Sequence, residues 1–409
     1  MTLHRLRLQG FRNLEDATLD LPPEGVALVG ANAQGKSNFL EAVHYLEIFR
    51  SCRGSRDTRL IRFGEEFFRV EASLSPSVSP DAGEAAHARM VAAAVQRAGP
   101  VKKVTVDGEE PARIGDALGK LGSVLFTPDD VRLVADGPQE RRRFLDIVLS
   151  VNAPGYLEAL QRYRHVLAQR NAALRDRAPR ATVEAWEPLL AGSGARVLRM
   201  RAAWIRAGAA SFRSVVEEVS GGERGVLAYQ PGVPGTCGAP GGNGAPGEPG
   251  SEDHDAAALD APWEEWFAGA LREGVEADRR RGTTMVGPHR DEFTMGLEPD
   301  GEDAAPKGGR DLREYGSGGQ RRTAALALRI LEAETVLRRR GRPALLLLDD
   351  VFAELDAERS ERVLGLLDRT AAGQVVLTAP KDADVRFRQD RLPRWRIQAG
   401  RIETGGEGG

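Results

Sequence analysis

A glycine-rich segment near the start of the chain has the residue types and spacing of a phosphate-binding loop. The segment GANAQGKS, from Gly30 to Ser37, matches the pattern G-x-x-x-x-G-K-S. Glycines let successive backbone N–H groups turn towards anionic oxygens, and the helix that follows adds positive charge at its N-terminus. In this pattern the lysine reaches the β- and γ-phosphates, and the serine hydroxyl binds Mg²⁺. The predicted nucleotide-binding residues in this phosphate loop are Gly30, Ala31, Asn32, Ala33, Gln34, Gly35, Lys36, Ser37 and Asn38.

Two aspartates follow an apolar run late in the chain. The segment ALLLLDD is typical of a buried parallel strand and ends at Asp349 and Asp350. Ligands of parallel sheets bind at the carboxyl ends of the strands, so we expect Asp349 to hold Mg²⁺ together with Ser37. Because side chains alternate along a strand, Asp350 is predicted to point to the other face, where it would orient or deprotonate an attacking water. The alternative is that these aspartates only cap a turn or the next helix.

A third segment with phosphate-binding character is YGSGGQRR, which lies directly before the helical sequence TAALALRILEAETVLRRR. Ser317, Gly318, Gly319 and Gln320 would form a helix cap whose amides and hydroxyl suit a phosphate. The phosphate loop already encloses the phosphates of one nucleotide. We therefore expect this second cap to serve a nucleotide that is bound by another copy of the chain.

The SGGQ segment has the form of the ABC-type ATPase signature, which acts across a head-to-tail dimer with two ATP molecules between the subunits. An ordinary flexible linker is the alternative. The position of the segment, 32 residues before Asp349 and joined to it by an unbroken helical pattern, argues against a linker. ELD at Glu354–Asp356 matches the D-loop of the same class. We predict a catalytic group of Lys36, Asp349, Asp350 and Ser317, with ATP and Mg²⁺ as cofactors.

The elements that must position these residues follow from the hydrophobic pattern. GVALVG is an apolar run that ends at the phosphate loop, and KSNFLEAVHYLEIF carries a helical stripe of apolar residues, so a strand, a loop and a helix are predicted. QVVLTA (Gln374–Ala379) predicts a further buried strand, and AERSERVLGLLDRT predicts the helix before it. VKKVTVDGEEP predicts a hairpin with Asp107-Gly108 at its turn.

The two ends of the chain therefore have an α/β pattern and its middle a helical one. The predicted fold class is α/β, an ABC-type P-loop ATPase head of mixed or parallel sheet and helices. We expect an ATPase lobe of residues 1–137 and 287–409 and an inserted, mainly helical second lobe of residues 138–286. A Gly/Pro-rich stretch at about 231–256 cannot build a core and is expected to be a flexible insertion.

Composition excludes several classes of protein. The two cysteines, Cys52 and Cys237, have neither a CxxC nor a His-paired spacing, so no disulfide framework or zinc site is indicated. No run approaches the roughly 18 apolar residues of a membrane span, and we expect a cytoplasmic protein with no membrane partner. The net charge is −3, but residues 139–213 hold fourteen arginines, no lysine and six acidic residues. This region is either a local nucleic-acid surface or a set of solvated helix faces.

The motifs together resemble those of the bacterial RecF recombination-mediator ATPases, and the resemblance covers nearly the whole chain. It rests on LQGFRNL, GANAQGKSNFLEAV, SCRGSRDTRLIRFG, FTPDDVRLVADGPQERRRFLD, VGPHRDEF, GSGGQRRTAALALRI and LLLLDDVFAELD. The related SMC and double-strand-break repair ATPases separate their two ATPase halves by long heptad coiled coils, and the sequence has no such pattern.

The resemblance implies a DNA-dependent dimer that ATP closes on DNA and hydrolysis reopens. The family acts at gaps between single-stranded and duplex DNA, where it helps RecO and RecR load recombinase, with links to replication restart and the SOS response. We accordingly expect a weak, DNA-stimulated ATPase that binds duplex DNA and single-strand/duplex junctions in the nucleoid. The alternatives are a non-catalytic DNA scaffold with ATP as a structural ligand and a transporter ATPase subunit. The long interval between Lys36 and Ser317 argues against the transporter subunit.

Several residues within the resemblance depart from the usual motifs or allow more than one interpretation. Ser37 stands where Thr is common, which is chemically equivalent, and no Q-loop glutamine or H-loop histidine is evident. Thr378 is the residue nearest to the histidine's place. Arg53 and Arg56 follow the phosphate loop, and Arg56 is either an arginine finger or DNA sensor, or a surface or packing residue. A further set in the VGPHRDEF motif consists of His289, Arg290 and Asp291. These residues either brace the second lobe near the nucleotide or form a turn with a buried histidine.

Overall fold

The computed structural model describes residues 2–75, 89–99, 101–233, 240, 256–299, 309–351, 357–370, 373–382, 385 and 392–404. The strands are β1 Thr2–Gln9, β2 Ala17–Asp20, β3 Gly25–Val29, β4 Phe67–Ser75, β5 Arg89–Gln96, β6 Lys102–Val106, β7 Ser123–Phe126, β8 Gly225–Gln230, β9 Glu292–Leu297, β10 Arg310–Asp311, β11 Leu345–Leu348, β12 Val375–Ala379, β13 Arg394–Gln398 and β14 Arg401–Thr404. The helices are α1 Lys36–Ile48, α2 Arg132–Ala135, α3 Pro138–Asn152, α4 Tyr156–Arg175, α5 Arg180–Glu184, α6 Glu187–Ser220, α7 Ala256–Arg281, α8 Leu312–Tyr315, α9 Gly318–Arg340 and α10 Ala357–Thr370. None of the helices in these ranges is long and apolar enough to cross a membrane.

Contacts divide the chain into two compact units, of which the first comprises residues 1–130 and 328–409. Its central sheet has the strand order β14-β13-β3-β12-β11-β7, and every neighbouring pair is parallel except β13–β14. The strands β3, β11 and β12 are buried at every residue. Strands covered on both faces need apolar residues at every position, which explains why GVALV, LLLL and VVLTA show no alternation.

A second sheet of the first unit is antiparallel, with the strand order β2-β1-β4-β5-β6. Along β4 buried residues alternate with less buried ones, as expected when only one face meets the core. Helix α1 packs against this sheet through Tyr45, whose ring lies edge-on to Phe68 with 5.3 Å between centroids. The same core contains residues of the central sheet, including Leu28 and Leu347. Helix α1 is therefore buried at every residue from Phe39 to Ile48, and not only along one stripe.

Three polar side chains on α1 are satisfied inside this core. Glu41 accepts a hydrogen bond from Ser51 Oγ at 2.6 Å, and His44 Nδ1 lies 3.3 Å from Ser123 Oγ. Glu47 accepts the backbone N–H of Leu121 and Gly122 at 3.0 and 2.8 Å. Buried polar groups need such partners. The helix behind the phosphate loop is thus fixed by specific bonds as well as by apolar packing.

The predicted hairpin at VKKVTVDGEEP is only partly correct. The turn at Asp107-Gly108 is present, and Val106 bridges Glu109, but no second strand follows. Strand β6 instead pairs with β5, for which the sequence analysis assigned no strand. The alanines of RMVAAAVQ give β5 a weak strand signal, because alanine is depleted in strands.

The second unit comprises residues 131–327. Its helices α4, α6 and α7 share a core that contains Tyr163, Leu198, Phe267 and Leu271. A small antiparallel sheet of order β10-β9-β8 completes the unit. The pairing of β9 with β8 draws residues after 287 into this unit. By contacts the chain returns to the first unit at 328, whereas the sequence predicts that the ATPase lobe resumes at 287. Most of the expected insertion at 231–256 lies outside the described residues.

Candidate functional site

The phosphate loop connects β3 to α1 through a tightly turned backbone. Ala33 and Gly35 have left-handed φ angles of 65° and 112°. A Cβ atom on Gly35 would lie 3.0 Å from Asn13 Oδ1, and one on Gly30 would lie 2.3 Å from the backbone oxygen of Ile397. Glycine is therefore favoured at position 35 by its φ angle and at position 30 by the close backbone of Ile397, in addition to the phosphate-binding role that the sequence predicts.

Lys36 lies over the loop that it follows. Its Nζ donates hydrogen bonds to the backbone oxygens of Gly30 at 2.5 Å and Ala31 at 3.0 Å. Burial lowers the pKa of Lys36 from its usual value, while the negative charges of Asp350 and Asp349 act in the opposite direction. The amine is thus held where a phosphate oxygen could replace the two carbonyl oxygens as its acceptor.

The structure brings Ser37 and Asp349 together, although they are 312 positions apart in the chain. Ser37 Oγ donates to Asp349 Oδ1 at 2.8 Å, and Thr378 Oγ1 donates to the same oxygen at 3.0 Å. Burial raises the pKa of Asp349, and the hydrogen bonds from Ser37 and Thr378 counteract part of this shift. The β11–β12 and β12–β3 pairings cause this meeting, because parallel neighbours end at the same edge of a sheet.

The oxygen donors at this edge fit Mg²⁺. This ion commonly takes one or two protein oxygens and fills its remaining positions with water and substrate phosphates. Ser37 and Asp349 supply two such oxygens beside the phosphate loop. Among the described residues there is no group of three or more His, Cys, Asp or Glu side chains that would hold a metal ion without a substrate.

Asp350 has a backbone that strand geometry does not predict. Strand β11 ends at Leu348, and Asp350 has a left-handed φ of 49°. Its backbone N–H donates to Thr378 Oγ1 at 3.0 Å. The expected alternation therefore does not extend to Asp350, and the charges of both aspartates act on Lys36. A non-glycine residue in this region is uncommon, and such backbones concentrate at functional sites.

Thr378 joins the two aspartates, which the sequence analysis did not predict. Its hydroxyl accepts from the Asp350 amide and donates to the Asp349 carboxylate. The sequence does contain a signal for this role. Thr378 is a hydroxyl residue near the end of a buried apolar strand, β12, and the neighbouring strand β11 leads to the two aspartates. The resemblance pointed to this position, but only the strand register gives it two defined partners.

A polar chain at the start of α1 joins Asn38 and Arg53, which the sequence singled out, to Asn13, which it did not. Asn38 Nδ2 donates to Asn13 Oδ1 at 2.8 Å, and Arg53 Nη1 donates to Asn38 Oδ1 at 3.3 Å. Asn13 belongs to the LQGFRNL motif, which could have identified it. Arg53 is thus adjacent to the phosphate loop, and Arg56 is exposed just before a 3₁₀ turn at Asp57–Leu60.

The turn between β13 and β14 forms hydrogen bonds to the phosphate loop at Gln34. The backbone N–H of Ala399 donates to Gln34 Oε1 at 2.5 Å, and that of Gly400 donates to the backbone oxygen of Gln34 at 2.9 Å. Gly400 also accepts the backbone N–H of Glu15 at 3.0 Å. A turn that is distant in sequence therefore fixes the conformation of Gln34, and Glu15 in turn holds that turn.

Ser317–Gln320, here called the signature segment, lies in the second unit and is closed by a reciprocal pair of bonds. Ser317 N donates to Gln320 Oε1 at 2.8 Å, and Gln320 N donates to Ser317 Oγ at 3.2 Å. This capping box occupies two of the amides that the sequence analysis regarded as free. The amides of Gly318 and Gly319 remain as the first-turn donors of α9. Glu354–Asp356, the predicted D-loop, lies outside the described residues.

His289 and Asp291 form bonds within the second unit. His289 Nδ1 lies 2.6 Å from the Tyr163 hydroxyl, and its Nε2 lies 3.0 Å from the backbone oxygen of Thr284. Asp291 is buried, accepts from Arg201 Nη1 at 2.8 Å and from the Gly232 amide at 2.7 Å. These bonds fit both interpretations, a set of residues that braces the second lobe and a turn with a buried histidine. The proximity of this set to a nucleotide stays a prediction.

Of the two cysteines, Cys52 is half-buried and free. Burial raises the pKa of its thiol to about 12, which keeps it protonated and unreactive. Cys237 lies outside the described residues.

Sequence and structure comparisons agree on one family. The RecF/RecN/SMC N terminal domain family matches residues 2–396. A protein of Salinibacter ruber named DNA replication and repair protein RecF is 34% identical over 388 residues, which are 93% of this chain and 85% of that protein. The protein of the same name from Chloroflexus aggregans is 35% identical over 424 residues, with 99% of this chain and 100% of that protein covered.

Solved structures give the same result. The recombination mediator protein RecF-ATP of the RecFOR pathway matches with a TM-score of 0.81 and 27% identity, over 99% of this chain and 98% of that one. An SMC head bound to the C-winged helix domain of ScpA matches with a TM-score of 0.52 and 16% identity, which concerns the fold alone. The predicted fold class, an α/β ATPase head, is confirmed. On the family match and the extent of these identities, the chain belongs to the RecF family.

Proposed function

We propose that this protein is an ATP-hydrolysing DNA-repair protein, in which two copies pair head to tail around ATP and thereby bind DNA. The observation that carries the proposal is the meeting of Ser37 and Asp349 at 2.8 Å beside Lys36. This arrangement has the oxygen donors and the cation that a nucleoside triphosphate with Mg²⁺ requires. Relatives named for DNA replication and repair, and a RecF-ATP structure, support the same reading.

Within one copy, each residue of the site would have a separate task. Lys36 would exchange its bonds with the carbonyls of Gly30 and Ala31 for bonds with the β- and γ-phosphates. Ser37 and Asp349 would hold Mg²⁺, which neutralises charge on the phosphates. Asp350 would orient the attacking water and accept its proton. Thr378 would keep both aspartates in place through its two bonds.

The second copy would complete the reaction centre. Its Ser317 hydroxyl and the amides of Gly318 and Gly319 would bind the γ-phosphate of the nucleotide held by the first copy. Such a centre ties dimerisation to ATP, since neither copy alone has every group. Two equivalent sites would form in one head-to-tail dimer.

DNA would be bound mainly through its phosphates, at duplexes and at single-strand/duplex junctions. Not all of the arginine-rich region can contribute, because Arg141, Arg170 and Arg201 are buried in ion pairs with acidic residues of the same unit. Exposed arginines on α4 and α6 remain available for DNA: Arg162, Arg175 and Arg206. Binding of this kind weakens steeply as salt increases and depends little on sequence.

The biological role proposed is recombinational gap repair together with RecO- and RecR-type mediators, which load recombinase. The test is phosphate release from ATP with no DNA, with single-stranded, duplex and gapped DNA, and at a series of protein concentrations. We expect the turnover per chain to rise with protein concentration and with gapped or duplex DNA. ATP binding without turnover under every condition would instead favour the non-catalytic scaffold.

A further inference from the structure

The side-chain amide of Gln320 can complete the capping box with Ser317 in one orientation only. Its Oε1 must face the Ser317 amide, because an N–H can bond only to an acceptor. If the amide were turned over, two donors would face each other and the capping box would open. An amide side chain needs a further partner to define its orientation, since its two ends are nearly the same size.

Glu223 supplies that partner. Gln320 Nε2 donates to Glu223 Oε1 at 2.5 Å, between residues 97 positions apart. A carboxylate accepts hydrogen bonds and, when ionised, has no hydrogen to donate. It therefore selects the Nε2 end of the amide and leaves Oε1 for Ser317. Glu223 is itself held in a tight turn, where its backbone N–H donates to Ser220 Oγ at 2.9 Å.

We infer that Glu223 is a positioning residue for the signature segment, which sets the orientation of Gln320 and through it the geometry of Ser317. The inference rests on the proposed function, because it concerns the surface that would meet the nucleotide of a second copy. Glu223 lies outside every motif found in the sequence, and its side chain bonds to the signature segment at Gln320.

The arrangement determines which groups the signature segment offers to a phosphate. The Ser317 oxygen already accepts from the Gln320 amide, so its hydrogen is left to donate. Ser317 N is occupied by Gln320 Oε1. The donors left for a phosphate are the Ser317 hydroxyl and the amides of Gly318 and Gly319. Loss of Glu223 would let the side-chain amide of Gln320 turn over. The turned amide would then compete with a phosphate for these donors.

The first experiment compares Glu223→Ala with wild type in three measurements: ATP affinity of the dilute monomer, ATP-dependent dimerisation, and steady-state hydrolysis. We expect unchanged monomer affinity, dimerisation weakened about tenfold and kcat lowered about tenfold, as for loss of one hydrogen bond to a charged group. The matched control is Glu217→Ala, a partly exposed glutamate near the same turn whose ion-pair partner is Arg224. This control is expected to match wild type in all three.

The second experiment exchanges the two groups, so that a general loss of stability cannot imitate the result. Gln320→Glu alone places two carboxylates together and should lose dimerisation. Adding Glu223→Gln restores a donor opposite an acceptor, and we expect it to recover most of that loss. Equal dimerisation and kcat in Glu223→Ala and wild type, or no recovery in the double variant, would overturn the inference. A wild type that neither dimerises nor hydrolyses ATP would instead overturn the proposed function.

Discussion

The hydroxyl of Thr378 connects both aspartates of the site. Removing this hydroxyl leaves the Asp350 amide without its acceptor and Asp349 without one of its two side-chain donors. We expect Thr378→Val to lower kcat about tenfold and to lower the free energy of unfolding by about 1–3 kcal/mol, the cost of an unsatisfied buried group. Phosphate release and urea unfolding measure the two effects. Thr378→Ser keeps the hydroxyl and should resemble wild type. Equal activity of the valine and serine variants would contradict the role.

His289 supports a second prediction, which concerns how the free energy of unfolding depends on pH. The carbonyl of Thr284 can only accept, so Nε2 carries the ring hydrogen and Nδ1 accepts from Tyr163. Burial, with smaller contributions from Arg290 and other nearby cations, lowers the pKa of His289 from 6.5 to about 4. The unfolded chain therefore binds a proton at a higher pH than the folded one, and stability rises with pH across this interval.

The stability contribution of neutral His289 is complete above pH 6.5 and is lost as the pH falls to about 4. The shift corresponds to about 3 kcal/mol in the free energy of unfolding. Urea unfolding at a series of pH values should show this dependence reduced in His289→Gln. The exposed His165, replaced in the same way, serves as the control. An identical pH dependence in wild type and His289→Gln would exclude the assignment.

At the residue scale, the sequence predicts side chains whose motif defines their chemistry and misses those defined by geometry. Lys36, Ser37 and Asp349 come together as predicted, because the apolar strands before them fix where each one lies. Asn13, Thr378 and Glu223 have ordinary types in ordinary contexts. Their partners are 25 or more positions away, and only the register of sheets and turns creates their bonds.

The β13–β14 turn is the element whose importance for the phosphate loop is hidden in the sequence. Gly400 has a φ of 87°, and a Cβ atom there would lie 1.8 Å from the backbone oxygen of Asn13. We expect Gly400→Ala to displace the turn from Gln34, to weaken ATP binding, and to lower the free energy of unfolding. Gly108 has the same kind of backbone, with φ at 86°, but no described atom lies within 4 Å of its added Cβ.

Gly108→Ala therefore measures the backbone strain without the collision. We expect Gly400→Ala to be less stable than this control by about 1–3 kcal/mol, and only Gly400→Ala to lose ATP affinity. Denaturant unfolding and titration with a fluorescent ATP analogue test both statements. Equal stability and affinity of the two variants would show that the turn does not support the loop.

Helices α4, α6 and α7 are joined by a buried ion cluster around Arg170. This side chain has 0% exposure and donates to Asp278 at 2.7 Å and Glu187 at 3.1 Å. Arg170→Met leaves two buried carboxylates without their cation, and we expect a loss of about 3–5 kcal/mol in the free energy of unfolding. Arg180→Met removes a surface arginine that pairs with Glu184 and Glu276, and should leave the denaturation midpoint nearly unchanged. Similar denaturation midpoints for the two variants would show that burial does not make the Arg170 ion pairs more important for stability than those of Arg180.

Helices and strands are predicted correctly where hydrophobic periodicity is strong. They are missed where pairing between distant strands determines the structure. The buried strands β3, β11 and β12 and helix α9 follow directly from apolar runs and helical spacing. Strand β5 and the return boundary of the second unit do not, because alanine-rich strands and long-range pairings such as β8–β9 leave no local pattern.

At the scale of the whole molecule, the proposed reaction requires two copies of the chain. Each chain carries the phosphate loop with its aspartates in the first unit and the signature segment in the second. The sequence supports this through the presence of both motifs and the family to which the chain belongs. The pairing itself is a proposal, since it concerns a surface between chains that no motif specifies.

Mixing two inactive variants tests the shared reaction centre most directly. Lys36→Ala should lose nucleotide binding in its own site, and Ser317→Arg should bind ATP but block the surface offered to a partner. Each variant alone is expected to be inactive, whereas a mixed dimer joins the intact phosphate loop of one chain to the intact signature segment of the other. We predict that mixing restores ATP hydrolysis in proportion to the mixed dimers formed. Hydrolysis by dilute Ser317→Arg alone at the wild-type rate, or no recovery on mixing, would contradict the account.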